Sequence, residues 1–555
     1  MSTAVPAVTQ GGTPVLLLKE GSSQTKGRDV QRNNITAARL ISEIVRTSIG
    51  PRGLDKMLVD TLGDVTITND GATMLKEMDV QHPAAKMLIE VSKATDNEVG
   101  DGTTSAVILA GALLDKAEEL LDKDIHPTVI VEGYTKASQK AIDSLRSVAE
   151  KVTPSDRAPL VKVARTSMQT KLVARESKDL ANLVVDAVLG VAEEQAGKYK
   201  VDIDNVKVEK KPGGSVNDTK LIKGIVLDKE VVHAGMPKRI DGAKIALVNS
   251  PFEIEKTEFD AKLNIDDPAK MKAFLDEETK LLKEMVDKVT AAGANVVVCQ
   301  KGIDDVAQHY LAKAGVLAVR RAKESDMTKL AKATGARIVT NFDDLTSGDL
   351  GYADLVEERK VEEDKWVFVE GAKNPKSVSI LVRGGSQRVV DEAERSLHDA
   401  LMVTKDVLET PAIVAGGGAA EEEAASRVLK WADRLSGREQ LAAQKFAEAL
   451  ETIPINLAEN AGLDPIDSQV ELRAKHADGK TWYGVDALEG KMKDMYVKEV
   501  LEPLAVKEQY IKSATEAACM LLRIDDMIAA GKMKESTPPK KGGEGGDGGG
   551  SSDLD

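Results

Sequence analysis

Six consecutive residues, Gly100-Asp101-Gly102-Thr103-Thr104-Ser105, combine the side chains and backbone freedom needed to hold an anion. The glycines let backbone N–H groups approach closely, a helix starting near Ala106 adds unpaired donors and positive potential, and the three hydroxyls can bond phosphate oxygens. Asp101 sits where a carboxylate would repel a bare phosphate. A hard cation such as Mg²⁺ between them removes that conflict, so the segment points to a metal–nucleotide. The same six residues would also serve as a helix N-cap turn with no ligand.

Two other phosphate patterns fail. The dinucleotide fingerprint needs a preceding strand, whereas Gly100-x-Gly102-x-x-Ser105 follows an apparent helix. Gly479-Lys480-Thr481 ends like a P-loop, but the earlier glycine is replaced by Ala474 and no helix start follows, so the spacing predicts a hairpin turn. Ser48 to Gly53, Asn69 to Thr73 and Gly416 to Gly418 each read singly as turns or caps. The histidines are scattered without metal-ligand spacing, Cys299 and Cys519 stand far apart, and no nucleophile-plus-base pattern emerges. A zinc site, a disulfide framework and a covalent hydrolase are therefore unsupported.

The elements that must position these residues follow from periodicity. Apolar residues at helical spacing predict helices between Asn34 and Ile49, from Pro83, over Ala106 to Leu121 and over Thr128 to Val152, with a short strand at Val65 to Thr68. From about Val201 the texture changes to strand segments, with a turn predicted at Lys210 to Gly214. Beyond Asp228, short apolar runs at Ile245 to Val248, Asn295 to Cys299, Gly315 to Val319 and Arg337 to Val339 alternate with amphipathic segments, the pattern of an α/β layer. Ala269 to Val289 reads as one long amphipathic helix, most simply a packed one. Helical periodicity returns from Val389 to Ile528, so helix-rich ends flank an α/β centre.

Composition bounds what such a chain can do. At 555 residues it holds several folding units, and 42% hydrophobic with 30% charged residues suits soluble cores. A net charge of −15 and only 3% aromatics argue against nucleic acid as the main partner. The opening residues lack a basic region followed by an apolar core, and no apolar run of about 18 residues occurs, so neither secretion nor membrane spanning is expected. Few cysteines fit a reducing cytoplasm. Both ends, the first residues and the Gly-rich tail from about Lys532, are expected to be mobile.

Taken together, TSIGPRGLDKML from Thr47, ITNDGATML from Ile67, GDGTTSAV from Gly100, CQKGIDDVAQHYL from Cys299 and SATEAACMLLRIDDMI from Ser513 resemble group II chaperonins of the TCP-1/CCT family, most like the archaeal thermosome. The resemblance extends from roughly Pro14 to Ala530. It implies a multidomain α+β chaperonin fold: residues 15–158 with 412–531 as a helical equatorial ATP-binding domain, 159–228 with 378–411 as a small α/β intermediate hinge domain, and 229–377 as an α/β apical domain. A helical protrusion over about 251–285 would form a built-in lid, with residues 1–14 and 532–555 as disordered ends. It further implies ATP and Mg²⁺ as cofactors, unfolded proteins as clients, and identical or homologous subunits in a double ring.

Carried onto this sequence, the resemblance gives Ile49, Gly50 and Pro51 contact with nucleotide, Asp101 the Mg²⁺, and Gly102, Thr103, Thr104 and Ser105 the phosphates. Gly417 would border the nucleotide and Glu502 meet the ribose. Asp399 would orient the attacking water as general base, with Asp70 assisting, and Lys171 would sense the γ-phosphate. The tail departs from the Gly/Met-rich end of archaeal relatives by carrying Glu544, Asp547, Asp553 and Asp555. The implied function is an ATP-hydrolysing chaperone that encloses unfolded chains. Its rivals are a stand-alone Mg–ATP phosphotransferase and a holdase ring with dead nucleotide sites, the latter opposed by Asp70, Asp101 and Asp399 together.

Overall fold

The computed structural model describes residues 7–10, 13–16, 23–154, 156–254, 268–372 and 376–529, in two compact units. The first unit comprises Met1–Asn33 and Ile524–Asp555. Within it Ser23–Lys26 runs antiparallel to Asp526–Ala529, and Ala7–Gln10 runs antiparallel to Thr13–Leu16, inside a stretch whose sequence suggested no order. The tail expected to be mobile from Lys532 lies outside the described residues.

In the second unit, Asn34–Arg523, helices from the two halves of the sequence pack together. Thr103–Leu121 and Pro127–Val148 lie against Arg438–Leu450 and Leu504–Leu522. Small residues permit this closeness: a Cβ on Gly133 would stand 2.5 Å from the Ala442 side chain. With aromatics scarce, Ala, Val and Leu fill the space between these helices, together with the edge-to-face pair Tyr134 and Phe446 at 5.7 Å. The Tyr134 hydroxyl, fully buried, donates to the Leu113 carbonyl at 2.8 Å.

The centre of the sequence forms two sheets. Val206–Pro212 and Val378–Gly384 pair in parallel, with Lys220–Ile222 on the other edge of Val378–Gly384. Lys210 to Pro212 thus continue a strand, and the predicted turn is confined to Gly213 and Gly214, both at positive φ. The seven-stranded sheet runs Gly224–Leu227, Asp364–Glu370, Gly351–Val361, Arg239–Val248, Val296–Cys299, Leu317–Val319, with Ile338–Val339 also on Arg239–Val248. The short continuous apolar runs are its parallel strands, buried on both faces by intervening helices such as Asp305–Lys313.

Helix Pro268–Ala291 answers the long amphipathic segment only in part. Leu282, Val286 and Val289 are buried, whereas Met271, Phe274, Leu275 and Leu281 are exposed, so the reading as a packed helix holds only for its C-terminal half. Residues 255–267 of the stretch expected to form a lid lie outside the described residues. Among the described residues, no helix is long and apolar enough to cross a membrane.

Candidate active site

Helix Pro83–Val99 ends at Gly100, which adopts φ +67 and donates its N–H to the Asp96 carbonyl at 2.8 Å. Only Asp101 separates it from Gly102, also left-handed at φ +76, which begins helix Thr103–Leu121. A Cβ on Gly102 would lie 2.9 Å from Val506 and 3.3 Å from Tyr510, so a side chain there would be both strained and crowded. No side chain caps this helix, and the N–H groups of its first turn keep their capacity to bind an anion. Asp101 accepts the Gly102 N–H at 2.6 Å.

A second helix start of the same kind faces the same space. Strand Ala412–Ala415 leads through Gly416, Gly417 and Gly418 into helix Ala419–Ala432, and Gly418, at φ +78, again provides no side-chain cap. Gly416 donates its N–H to the Val500 carbonyl at 2.9 Å, and Gly417 accepts from the Val485 N–H at 2.8 Å. A Cβ on Gly416 would collide with the Glu502 carboxylate. The triple glycine, read from sequence as a turn or cap, forms the helix start and is further required by close approach.

Between these ends, helix Gln387–Glu409 packs on helix Arg157–Gln169 and sets Asp399 in direct contact with the Lys171 ammonium. Both side chains are largely buried. Asp70, read from sequence as part of a turn or cap, caps helix Gly71–Glu77, accepting from the Thr73 N–H at 2.9 Å and its hydroxyl at 2.7 Å. Asn69 ties this corner to Lys171's neighbour by donating to the Thr170 carbonyl at 2.5 Å. Ile49, Gly50 and Pro51 close another side, where the Asn460 amide holds the Ile49 carbonyl at 3.0 Å. All thirteen residues singled out from sequence line one cleft of about 190 Å³.

Sequence reasoning missed several others in the same walls. Lys507 reaches Glu421 at 2.8 Å and also touches Glu502, while the Tyr510 hydroxyl donates to Glu421. Burial works against the Lys507 charge, yet Glu421 and Glu502 outweigh it and push the ammonium up. The signal was available: Lys507 falls on the apolar face of helix Leu504–Leu522, where a solvated lysine would not. Asp486, from strand Tyr483–Asp486, also lines the cleft, as do Leu457 and Met495. That strand begins after a helix exit at Gly479 and Lys480, which is a helix-to-strand connection and not the predicted hairpin turn.

The surroundings of the cleft are strongly acidic. Burial first, then Asp70 and Asp101, pushes Asp96 up to about 6. Asp406, two turns beyond Asp399, is pushed up to about 8 by burial, opposed by Lys405 and reinforced by Glu409, Asp101 and Glu98. A carboxyl raised in the folded state adds stability that is full below its unfolded value near 4 and is lost as pH rises through about 8. Asp406→Asn should therefore melt higher than the wild type at pH 8.5 without nucleotide, by on the order of a few kcal/mol, and match it near pH 4. Thermal melts at both pH values check this; an equal or lower midpoint at pH 8.5 would contradict it.

Metal binding can be tested on the same geometry. Among the described residues, no three His, Cys, Asp or Glu side chains gather as a metal site. Asp101 brings a hard-oxygen carboxylate to the Gly102 helix start, a donor that suits a cation taking its other ligands from phosphate and water.

Comparison with known proteins decides the family. A profile of the TCP-1/cpn60 chaperonin family matches residues 41–532. The chain belongs to the TCP-1/cpn60 chaperonin family. It is 59% identical to a thermosome subunit of Pyrococcus horikoshii over 98% of this chain and 99% of that protein. It is 60% identical to the thermosome subunit alpha of Archaeoglobus fulgidus, over 96% and 97%. The thermosome subunit beta of Sulfurisphaera tokodaii is 57% identical over the same shares. This chaperonin is an ATP-dependent chaperone and an ATP hydrolase, and the rival reading as a free-standing phosphotransferase is not favoured.

Proposed function

We infer that the cleft binds Mg–ATP and that hydrolysis there drives a double ring between open and closed states around an unfolded client. The observation that carries this is the pair of uncapped helix N-termini, at Gly102 and Gly418, turned onto one cleft that also holds the Lys171–Asp399 contact. Thr103, Thr104 and Ser105 would hold phosphate through hydroxyl and backbone donors. Asp101 would hold Mg²⁺, which when bound neutralises phosphate charge. Glu502 and Asp486 would meet the ribose, and Ile49, Gly50, Pro51 and Gly417 would border the nucleotide, with Leu457 offering apolar surface to the base.

Asp399 is the group that orients the attacking water, with Asp70 beside it. In its contact with Lys171 this carboxylate is already held in place. A γ-phosphate would compete for the Lys171 ammonium, free Asp399 to accept a water proton, and shift Arg157–Gln169 relative to Gln387–Glu409. Because those helices belong to the segments assigned to the intermediate hinge, 159–228 and 378–411, the exchange would reach the apical segment 229–377. The exposed apolar half of Pro268–Ala291 suits lid contacts with other subunits. The protein would work in the cytoplasm.

Negative-stain electron microscopy with and without Mg–ATP tests this reading. Double rings that close with nucleotide are expected; small monodisperse particles, or rings indifferent to Mg–ATP, would contradict it.

A further inference from the structure

Behind the cleft wall lies His476, a fully buried side chain near the end of helix Pro465–Ala477 that does not itself line the cleft. Its Nδ1 is 2.7 Å from a Glu423 carboxylate oxygen and its Nε2 is 2.8 Å from the Tyr483 carbonyl. Carboxylate and carbonyl both accept, so the ring meets two acceptors in opposite directions. Glu423 belongs to the first turns of helix Ala419–Ala432, the one whose N-terminus at Gly418 opens on the cleft. Tyr483 starts the strand Tyr483–Asp486, whose Val485 N–H bonds Gly417 and whose Asp486 lines the cleft.

The ring thus joins the glycine-capped helix to the strand standing over it. Two of the charged pairs around it are closed among themselves. Arg427 donates to Glu423 at 2.6 Å from the same helix, and Arg473, on the helix of His476, holds Glu451 at 2.7 Å. Glu422, buried with both carboxyl oxygens unpartnered, stands among Glu451, His476, Arg473 and Glu423.

We propose that His476 is a positioning residue for nucleotide binding: its Nε2–H holds the Tyr483 carbonyl, and through it the Tyr483–Asp486 wall, at the distance from Gly418 that the nucleotide requires. This rests on the reading of the cleft as the nucleotide site. The bond to Glu423 anchors the ring, and the bond to Tyr483 does the positioning. A merely structural histidine would make the two bonds equivalent for binding.

Glutamine and asparagine separate them, because the Gln amide nitrogen falls near the position of Nε2 and the Asn amide nitrogen near that of Nδ1. In the assembled full-length protein, titration with ATP and with ADP is expected to give His476→Gln within ~3-fold of the wild-type Kd and His476→Asn weakened ~10-fold, the usual scale of one buried hydrogen bond. Saturated kcat should stay within ~2-fold in both, because the phosphate-end residues are untouched. Equal Kd in the two variants, or a greater loss in His476→Gln, overturns the proposal while leaving the cleft assignment standing; a wild type that binds no nucleotide overturns both. If either variant fails to fold, hydrogen exchange on the wild type decides. Nucleotide should slow exchange across residues 483–495 together with the first turn of Ala419–Ala432, and protection confined to the glycine turns overturns the proposal.

Discussion

Replacing Asp399 by alanine should lower ATP turnover by ~10²–10⁴-fold, the range for loss of a positioned general base, with nucleotide Kd changed by less than about 3-fold. The split follows from geometry. Asp399 reaches the cleft from helix Gln387–Glu409 and touches Lys171, whereas the phosphate-binding donors belong to helices Thr103–Leu121 and Ala419–Ala432. Removing the carboxylate therefore leaves the cradle intact and takes away the group that orients water. It also releases Lys171 from its partner, which can only favour an incoming γ-phosphate. Phosphate release assays beside equilibrium titration check the pair of values; turnover within ~3-fold of the wild type would remove Asp399 from this role.

Lys507→Ala should produce the largest loss of stability, about 3–5 kcal/mol, because it strands the buried Glu421 carboxylate without its cation. Glu421 is 1% exposed and is held by Lys507 and by the Tyr510 hydroxyl. Burial alone would raise its pKa, but Lys507 and Tyr510 outweigh it and hold the carboxyl below its ordinary value. Without the ammonium, Glu421 must take up a proton or pull the N-terminal turn of Ala419–Ala432 open, so nucleotide affinity should fall along with stability. Adding Glu421→Gln to Lys507→Met should restore part of the melting temperature, since the uncompensated charge is then gone. Thermal melts of the single and double variants test this; a Lys507→Ala variant that melts within a degree of the wild type would contradict it.

Much of the site was legible because its chemistry sits in short contiguous motifs. Gly100 to Ser105 could be read as an uncapped helix start from glycine, hydroxyls and the apolar run that follows, and the structure shows that start. Asp399 and Lys171 needed the family resemblance, since Asp399 lies in an ordinary helical context, Lys171 sits in the extended link after helix Arg157–Gln169, and their contact spans 228 residues of sequence. Lys507 and the run Glu421 to Glu423 escaped for a different reason. Three successive glutamates in an alanine-rich helix suggest a solvated face, yet all three are buried, because helices from the two ends of the sequence pack around them.

The fold shows the same division. Strands such as Val296–Cys299 were visible as apolar runs, and helix starts such as Pro83 carried their own signal. Asp70 left both a turn and a cap open, because Asn-Asp-Gly suits either locally. The structure takes the cap: Asp70 opens the short helix Gly71–Glu77, and Gly71 lies so near Thr104 that a Cβ would stand 2.5 Å from its hydroxyl. The exposed half of Pro268–Ala291 was equally invisible, since an amphipathic stripe reports a face to be covered without saying what covers it.

The most direct test is a cryo-electron microscopy map of the assembled protein with Mg–ADP and a metal fluoride in place of the γ-phosphate. The phosphates should lie between the helix starts at Gly102 and Gly418, with the metal on Asp101 and Asp399 facing the fluoride group. Nucleotide bound elsewhere, or a phosphate chain that touches neither glycine-capped helix, would contradict the account.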